Sequence, residues 1–224
     1  MKAPVSPGAN PHLKIWEVDE ADYPTAGPVD AQLRFLLRYA ILAPSSHNTQ
    51  PWLFSVRDRS VEIYVDHTRA LRITDPDDRQ MAIACGCALF HLRIAMEHFG
   101  HTPRVERFPS AGDFDLIARV TVDGEAFSSD ANEKLFAAIP RRHTYRQMFK
   151  EDPLPHEFEL ALKEAMTDSS AWVHFVKAAD ERHMLADLVA RGDQVQWATK
   201  KFRLELAAWT HPDTTHANSG IPHY

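Results

Sequence analysis

The sequence predicts an α+β fold in which a mixed sheet is packed with helices. Three observations predict it. Trp52, Phe54 and Val56 alternate with Leu53 and Ser55, and Val61, Ile63 and Val65 alternate with Glu62 and Tyr64, with Arg57 to Ser60 between the two runs. Successive strand side chains point to opposite faces, so two such runs joined by a short polar link read as an antiparallel hairpin. From about Asp78 to Phe99, Met81, Ala84, Cys85, Ala88, Leu89, Leu92 and Met96 recur at the spacing of one helix face. Finally, the strand-like runs are separated by long helical stretches but begin with a hairpin. That order argues for α+β and against a doubly wound parallel sheet.

In chain order, residues 1 to 28 carry Pro4, Pro7, Pro11, Pro24 and Gly27 with few periodic apolar residues, and read as an extended arm ordered in part by Ile15, Trp16 and Val18. Val29 to Ala43 is a helix, with Leu33, Leu36, Leu37, Ala40 and Ile41 on one face and Asp30 placed to suit the helix dipole. After the hairpin, residues 66 to 78 are polar and irregular, and Gly100 ends the long helix that follows. Val105 to Phe108 and Leu116 to Val122 read as further strands. Asp130 with Glu133 forms a capping-box pattern for a helix from Ala131 to Ile139, closed by Pro140. Pro155 opens a helix reaching about Met166, with Phe158, Leu162 and Ala165 inward. Trp172 to Val176 is a strand candidate. Asp180 to Trp209 is helical with an interruption near Gly192, and Thr210 to Tyr224 lacks periodicity.

A length of 224 residues suits one ordinary domain, and 44% hydrophobic with 25% charged residues is the balance of a globular protein. A net charge of −6 argues against general nucleic-acid binding. Residues 1 to 10 have no apolar core, and the apolar stretch of the first helix is broken by Arg34 and Arg38, so neither a signal peptide nor a membrane span is expected and the chain reads as cytoplasmic. Cys85 and Cys87, two residues apart on a helix, point to roughly opposite sides and read as packed thiols. The 13 histidines form no metal-ligand spacing: His98 and His101 straddle a helix end, and His211, His216 and His223 lie in the tail. A G-x-S-x-G elbow, a Rossmann glycine pattern and a P-loop are all absent.

Two stretches carry chemistry. Between the first helix and the hairpin lies Ala43-Pro44-Ser45-Ser46-His47-Asn48-Thr49-Gln50-Pro51-Trp52. Pro44 forbids the helix from continuing. The hydroxyls and amides of Ser45, Ser46, Asn48, Thr49 and Gln50 then crowd one turn, where they could bind a phosphate, a ribityl chain or a heteroaromatic edge, or simply form a polar connection. The second stretch is Arg141, Arg142, Thr144 and Arg146, with three guanidinium groups in six residues. Such crowding is unfavourable unless an anion sits among the charges, and a phosphate monoester matches guanidinium forks and a hydroxyl; a solvated basic run is the other reading.

The first stretch resembles the A-P-S-x-x-N-x-Q-P-W segment of the FMN-dependent nitroreductase family, and most of all the Acg-like branch in which two nitroreductase-like halves are fused. The resemblance continues through Thr74-Asp75-Pro76-Asp77-Asp78-Arg79, Cys85-Gly86 and Arg141-Arg142-His143-Thr144-Tyr145-Arg146, over roughly residues 29 to 210. It implies a mixed, mainly antiparallel nitroreductase-like sheet. It also implies that Arg142, Thr144 and Arg146 grip the phosphate of FMN, with Thr144 where the family carries serine and Arg141 adjoining. Ser45, Ser46, Asn48 and Gln50 would face the ribityl chain and ring edge. The cofactor is FMN, and no side chain is assigned a catalytic role.

In one-domain nitroreductases the arginine motif precedes the A-P-S-x-x-N motif; here it follows by about ninety residues. The expected organisation is therefore an arm over 1–28, a first half over 29–139, and the beginning of an incomplete second half over 140–224. The resemblance implies hydride transfer from NAD(P)H through FMN to a nitroaromatic or quinone-like acceptor. The alternative is an FMN-sequestering protein with little reductase activity. Expected partners are NAD(P)H and a small-molecule substrate, with no nucleic acid and no membrane, and either a homodimer or a missing C-terminal half completes the fold.

Overall fold

A computed structural model describes residues 16–150, 152–166, 171–212 and 218–223. The chain divides into two compact units, residues 1–144 with 204–224, and residues 145–203.

The first unit is built on helix α1 (Val29–Ala40), the hairpin β1 (Trp52–Arg57) and β2 (Ser60–Val65), helix α2 (Arg79–His98), strands β3 (His101–Arg107) and β4 (Leu116–Glu125), and helix α3 (Asp130–Ala138). The four strands form one sheet in the order β1-β2-β4-β3, and every neighbouring pair is antiparallel. The hairpin register pairs Trp52 with Val65 and Arg57 with Ser60, which puts Phe54 opposite Ile63. Val61 and Ile63 of β2 and Val120 and Val122 of β4 meet Leu33, Leu36 and Ala40 of α1 and Ala84, Cys85, Ala88, Leu92 and Met96 of α2 in one core. Phe35 and Tyr39 also turn inward, and together with Tyr23, Phe99 and Phe136 they form a set of edge-on and tilted rings.

The α+β class and the sheet are as expected, and the differences are local. Helix α1 stops at Ala40 instead of Ala43, because the N–H groups of Leu42 and Ala43 turn back to Tyr39 and Ala40 in a tighter final turn. The arm is held by α1: Gln32 donates to the carbonyls of Pro24, Thr25 and Gly27, and Arg38 reaches Asp22 and the Glu17 carbonyl. Trp16 and Val18 pack on the core, whereas Ile15 lies outside the described residues. The helix α2 starts beneath buried Asp75, whose carboxylate accepts the Met81 N–H. Strand β3 begins earlier than the apolar run, at His101, and ends before Phe108, whose φ is +48°. The cap of α3 is Ser129, accepting from the Asn132 N–H, and not Asp130; the Glu133 carboxylate turns instead to His98. His98 stacks on Phe136 at 3.6 Å between centroids.

In the second unit, helices α4 (His156–Ala165) and α5 (Ala179–Ala198) bury no side chain. Phe158 and Leu162, expected inward, are exposed, as are Met184, Leu188 and Val195 of α5. The strand expected over Trp172 to Val176 does not form. The expected interruption at Gly192 lies inside α5, and the break comes at Thr199, in an extended conformation, before α6 (Lys200–Ala208). The tail, read as lacking periodicity, contains a parallel pair, β5 (Thr210–Pro212) with β6 (Ile221–His223); His216 and Tyr224 lie outside the described residues.

Candidate functional site

The polar stretch between α1 and β1 folds into a 3-10 turn over Ser46–Asn48, entered by extended Ser45. His47, Asn48 and Gln50 all have left-handed backbone, with φ of +50°, +54° and +52°. Non-glycine residues seldom adopt that region, asparagine being the best tolerated, so the loop is held by its surroundings. Those surroundings are visible. The Ser45 hydroxyl accepts the Gln50 N–H at 2.9 Å, and the Ser46 hydroxyl donates to Gln80 Oε1 on α2 at 2.5 Å. Thr49 is buried, and its carbonyl accepts from Arg69 at 2.9 Å. Pro51 is fully buried, with its carbonyl accepting from Cys85 Sγ and the Asp66 N–H.

A second set of contacts comes from the far end of the chain. Asn48 Nδ2 donates to the Gly220 carbonyl at 3.1 Å, and the Gly220 N–H donates back to the Asn48 carbonyl at 3.1 Å. Gln50 Nε2 donates to the Asn218 carbonyl at 2.5 Å. Glu205, on α6, accepts the N–H groups of Ile73 and Thr74 and the Thr74 hydroxyl.

The arginine cluster is spread over both units. Arg142 donates through Nε and Nη2 to the Leu42 carbonyl at 3.3 and 3.2 Å, which places its guanidinium where α1 gives way to the loop. Desolvation there lowers its pKa from the ordinary arginine value, which still leaves it cationic. Arg141 turns back to the Ala137 carbonyl at the end of α3. Thr144 is exposed at the end of the first unit's leading segment, and Arg146 belongs to the second unit, also exposed. The structure therefore places Arg142 beside Leu42 and Pro44, at the entrance to the loop, whereas Ser46 and Thr49 line a separate small cavity with Gln80 and Arg69, and Arg141 turns elsewhere.

Arg142 also borders an open groove of about 330 Å³, lined by Pro44, Ile83, Gly86, Cys87, Phe90 and His91. Ile83 and Phe90 are exposed at one-face spacing on α2, and a Cβ at Gly86 would meet nothing within 4 Å, so this side of the helix is flat and open. His91 is buried against the Tyr39 carbonyl, and burial holds its pKa down, so it is neutral. Burial pushes the Cys87 thiol up and Cys85 up to about 12, so both are thiols and not thiolates near neutral pH. The groove is thus apolar, with one permanent cation at its rim.

Sequence reasoning missed Gln80, Arg69, Glu205 and Gly220 as supports of the loop, and Ile83 and Phe90 as groove walls. The last two were detectable as apolar residues left off the buried face of a well-patterned helix. Among the described residues, no cluster of His, Cys, Asp or Glu is arranged to hold a metal ion, and no helix is long and apolar enough to cross a membrane.

Comparison with known proteins adds a lineage to this geometry. The chain is 31% identical over 191 residues to a Mycobacterium tuberculosis protein named "Putative NAD(P)H nitroreductase acg", covering 85% of this chain and 57% of the relative. It is 39% identical over 123 residues to a second protein of that organism, "Putative NAD(P)H nitroreductase Rv3131", covering 55% of this chain and 36% of the relative. A Serratia protein named "Probable NAD(P)H nitroreductase PigM" is 35% identical over 71 residues, which is 31% of this chain and 20% of that one. No family model matches the chain. The aligned region with Acg spans little more than half of that relative's length.

Proposed function

We propose that this chain, which is similar to proteins named NAD(P)H nitroreductases, Acg among them, binds FMN beside Arg142 and serves as an NAD(P)H-dependent oxidoreductase. The observation that carries this reading is the Arg142 guanidinium, fixed on the Leu42 carbonyl between an apolar groove and the Ser45–Gln50 loop. The residues fit a flavin mononucleotide. Ile83 and Phe90 offer apolar area for a flat ring, and Gly86 leaves room for close approach. A guanidinium has five N–H donors, so the two groups engaged by Leu42 leave others for a phosphate.

In this reading Arg142, Thr144 and Arg146 hold the phosphate, and Arg141 raises the local positive potential. Ser45, Ser46, Asn48 and Gln50 orient the ribityl side and the ring edge. Bound FMN would supply hydride transfer between NAD(P)H and an electron-poor acceptor such as a nitroaromatic or a quinone. Burial keeps the Cys87 thiol protonated, so no thiolate faces the groove near neutral pH. A cytoplasmic setting, where NAD(P)H is supplied, belongs to the same proposal.

The test is to mix the purified chain with FMN, remove free flavin, record the visible spectrum, and then add NADH or NADPH anaerobically. Retained flavin that bleaches and is restored by a nitroaromatic or quinone is the expected result. Absence of retained flavin would overturn the binding site. Flavin that dithionite bleaches while neither nicotinamide does would replace turnover with sequestration.

A further inference from the structure

We propose that residues Asn218 to Ile221 form an autoinhibitory strap, holding the same Asn48 and Gln50 amides that a flavin would need. The inference rests on the FMN reading of the loop, and adds to it an internal competitor. Asn48 and Gly220 exchange two hydrogen bonds, side chain to backbone and backbone to backbone, and Gln50 gives its amide to Asn218. Engaged in this way, neither amide can donate the same hydrogens to a ribityl hydroxyl or a ring carbonyl. A ligand that takes these same hydrogens, in the direction they now point, therefore has to displace the strap.

The strap is fastened at defined points. Ile221 donates its N–H to the Trp209 carbonyl at 2.7 Å, and β6 pairs in parallel with β5. Upstream, Glu205 ties α6 to the N–H groups of Ile73 and Thr74. The weak point is Gly220. Its φ is +90°, and a Cβ there would fall on the His211 ring and 2.7 Å from the Trp209 carbonyl oxygen. Only glycine tolerates both the conformation and the space. The strap is therefore a removable part: one methyl group at residue 220 dislodges it without changing a residue of the loop or the groove, and the bonds of Ser45 to Gln50, Ser46 to Gln80 and Arg69 to Thr49 continue to hold the loop.

The experiment compares FMN binding by the wild-type chain and the Gly220→Ala variant, using calorimetry. Amide hydrogen exchange on each protein reports the Gly220 and Ile221 N–H groups. Melting curves check that the core is intact. Removing two competing hydrogen bonds should tighten FMN by roughly tenfold, with exchange at residues 220 and 221 accelerated in the variant. In the wild type, saturating FMN should itself speed exchange at Gly220, a readout that does not depend on the variant folding well. Equal FMN affinity in the two proteins, or slower Gly220 exchange on FMN binding, would overturn the strap and leave the flavin site standing. No FMN binding by either protein would overturn the flavin reading, and the strap's role with it.

Discussion

Replacing Arg142 by alanine should weaken FMN binding about 10- to 150-fold while costing the fold about 1 kcal/mol or less. The two magnitudes have different origins. A charge-assisted hydrogen bond from a guanidinium to a phosphate contributes about 1.5–3 kcal/mol, and every 1.4 kcal/mol is a factor of ten in affinity. Stability loses only the pair of long bonds, 3.3 and 3.2 Å, that share the Leu42 carbonyl. The Arg142 guanidinium is only partly buried, so water can reach the Leu42 carbonyl after the substitution and the cost falls toward the low end. Arg142→Lys keeps the charge but not the fork, and should lie between wild type and alanine. Riboflavin, which lacks the phosphate, serves as the control ligand, since its binding should be weak and insensitive to either substitution. The assay is calorimetric titration of FMN and riboflavin into all three proteins, with melting curves alongside. An FMN affinity unchanged in Arg142→Ala, in a protein that melts like wild type, would refute the assignment of Arg142 to the phosphate.

Three other expectations follow from the interior. Tyr39 is 2% exposed, its hydroxyl has no hydrogen-bond partner among the described residues, and burial with nearby Glu20 pushes its pKa up to about 12. Tyr39→Phe removes that unpartnered group and should stabilise by about 1 kcal/mol in urea denaturation; a loss of similar size would reveal a partner for the hydroxyl. Burial holds the pKa values of His91 and His101 below the ordinary histidine value, so both are neutral in the fold and take up protons on unfolding. Their contribution to stability should be lost as pH falls below about 6.5, and His91→Leu should flatten the dependence between pH 7.5 and 5.5. With Cys85 raised to about 12 and fully buried while Cys87 is only partly buried, a thiol reagent at pH 8 should label Cys87 first in the native protein and both cysteines in denaturant; equal native rates would contradict the packing of α2.

The hairpin and the long helix α2 could be read directly because their patterns are set by burial, and burial is what the core enforces. Trp52 pairs with Val65 and Val61 is fully buried, as the alternation requires. The polar loop could be located for a similar reason: Pro44 had to end a helix. Its internal bonding could not be foreseen, since Gly220 and Gln80 are far from Ser46 and Asn48 in sequence and carry no local signature. Misreadings concentrate where packing is thin. Gly192 was expected to interrupt α5, but a glycine within a helix costs only about 1 kcal/mol relative to alanine, and its backbone remained helical. Thr199 ends α5 instead, with its hydroxyl donating back to the Val195 carbonyl. Ser129 and Asp130 are both good caps, and the choice of Ser129 is coupled to buried Asn132, which bonds the Ile94 carbonyl. The strand expected at Trp172 had apolar residues but no neighbouring strand to pair with among the described residues.

Among the described residues, the order β1-β2-β4-β3 leaves two unpaired strand edges, and they are unlike. The β3 edge carries Pro103, which lacks an N–H, a register irregularity beside it, and the charges of Arg104, Glu106 and Arg107. Those are the features that blunt a sheet against growth. The β1 edge runs Trp-Leu-Phe-Ser-Val before its first charge at Arg57, with Leu53 54% exposed. In concentrated solution the molecule is thus a ladder with one closed rail and one open one. Edge-on self-association, where it occurs, should start at β1, and a single lysine at Leu53 would be the economical way to keep the protein dispersed.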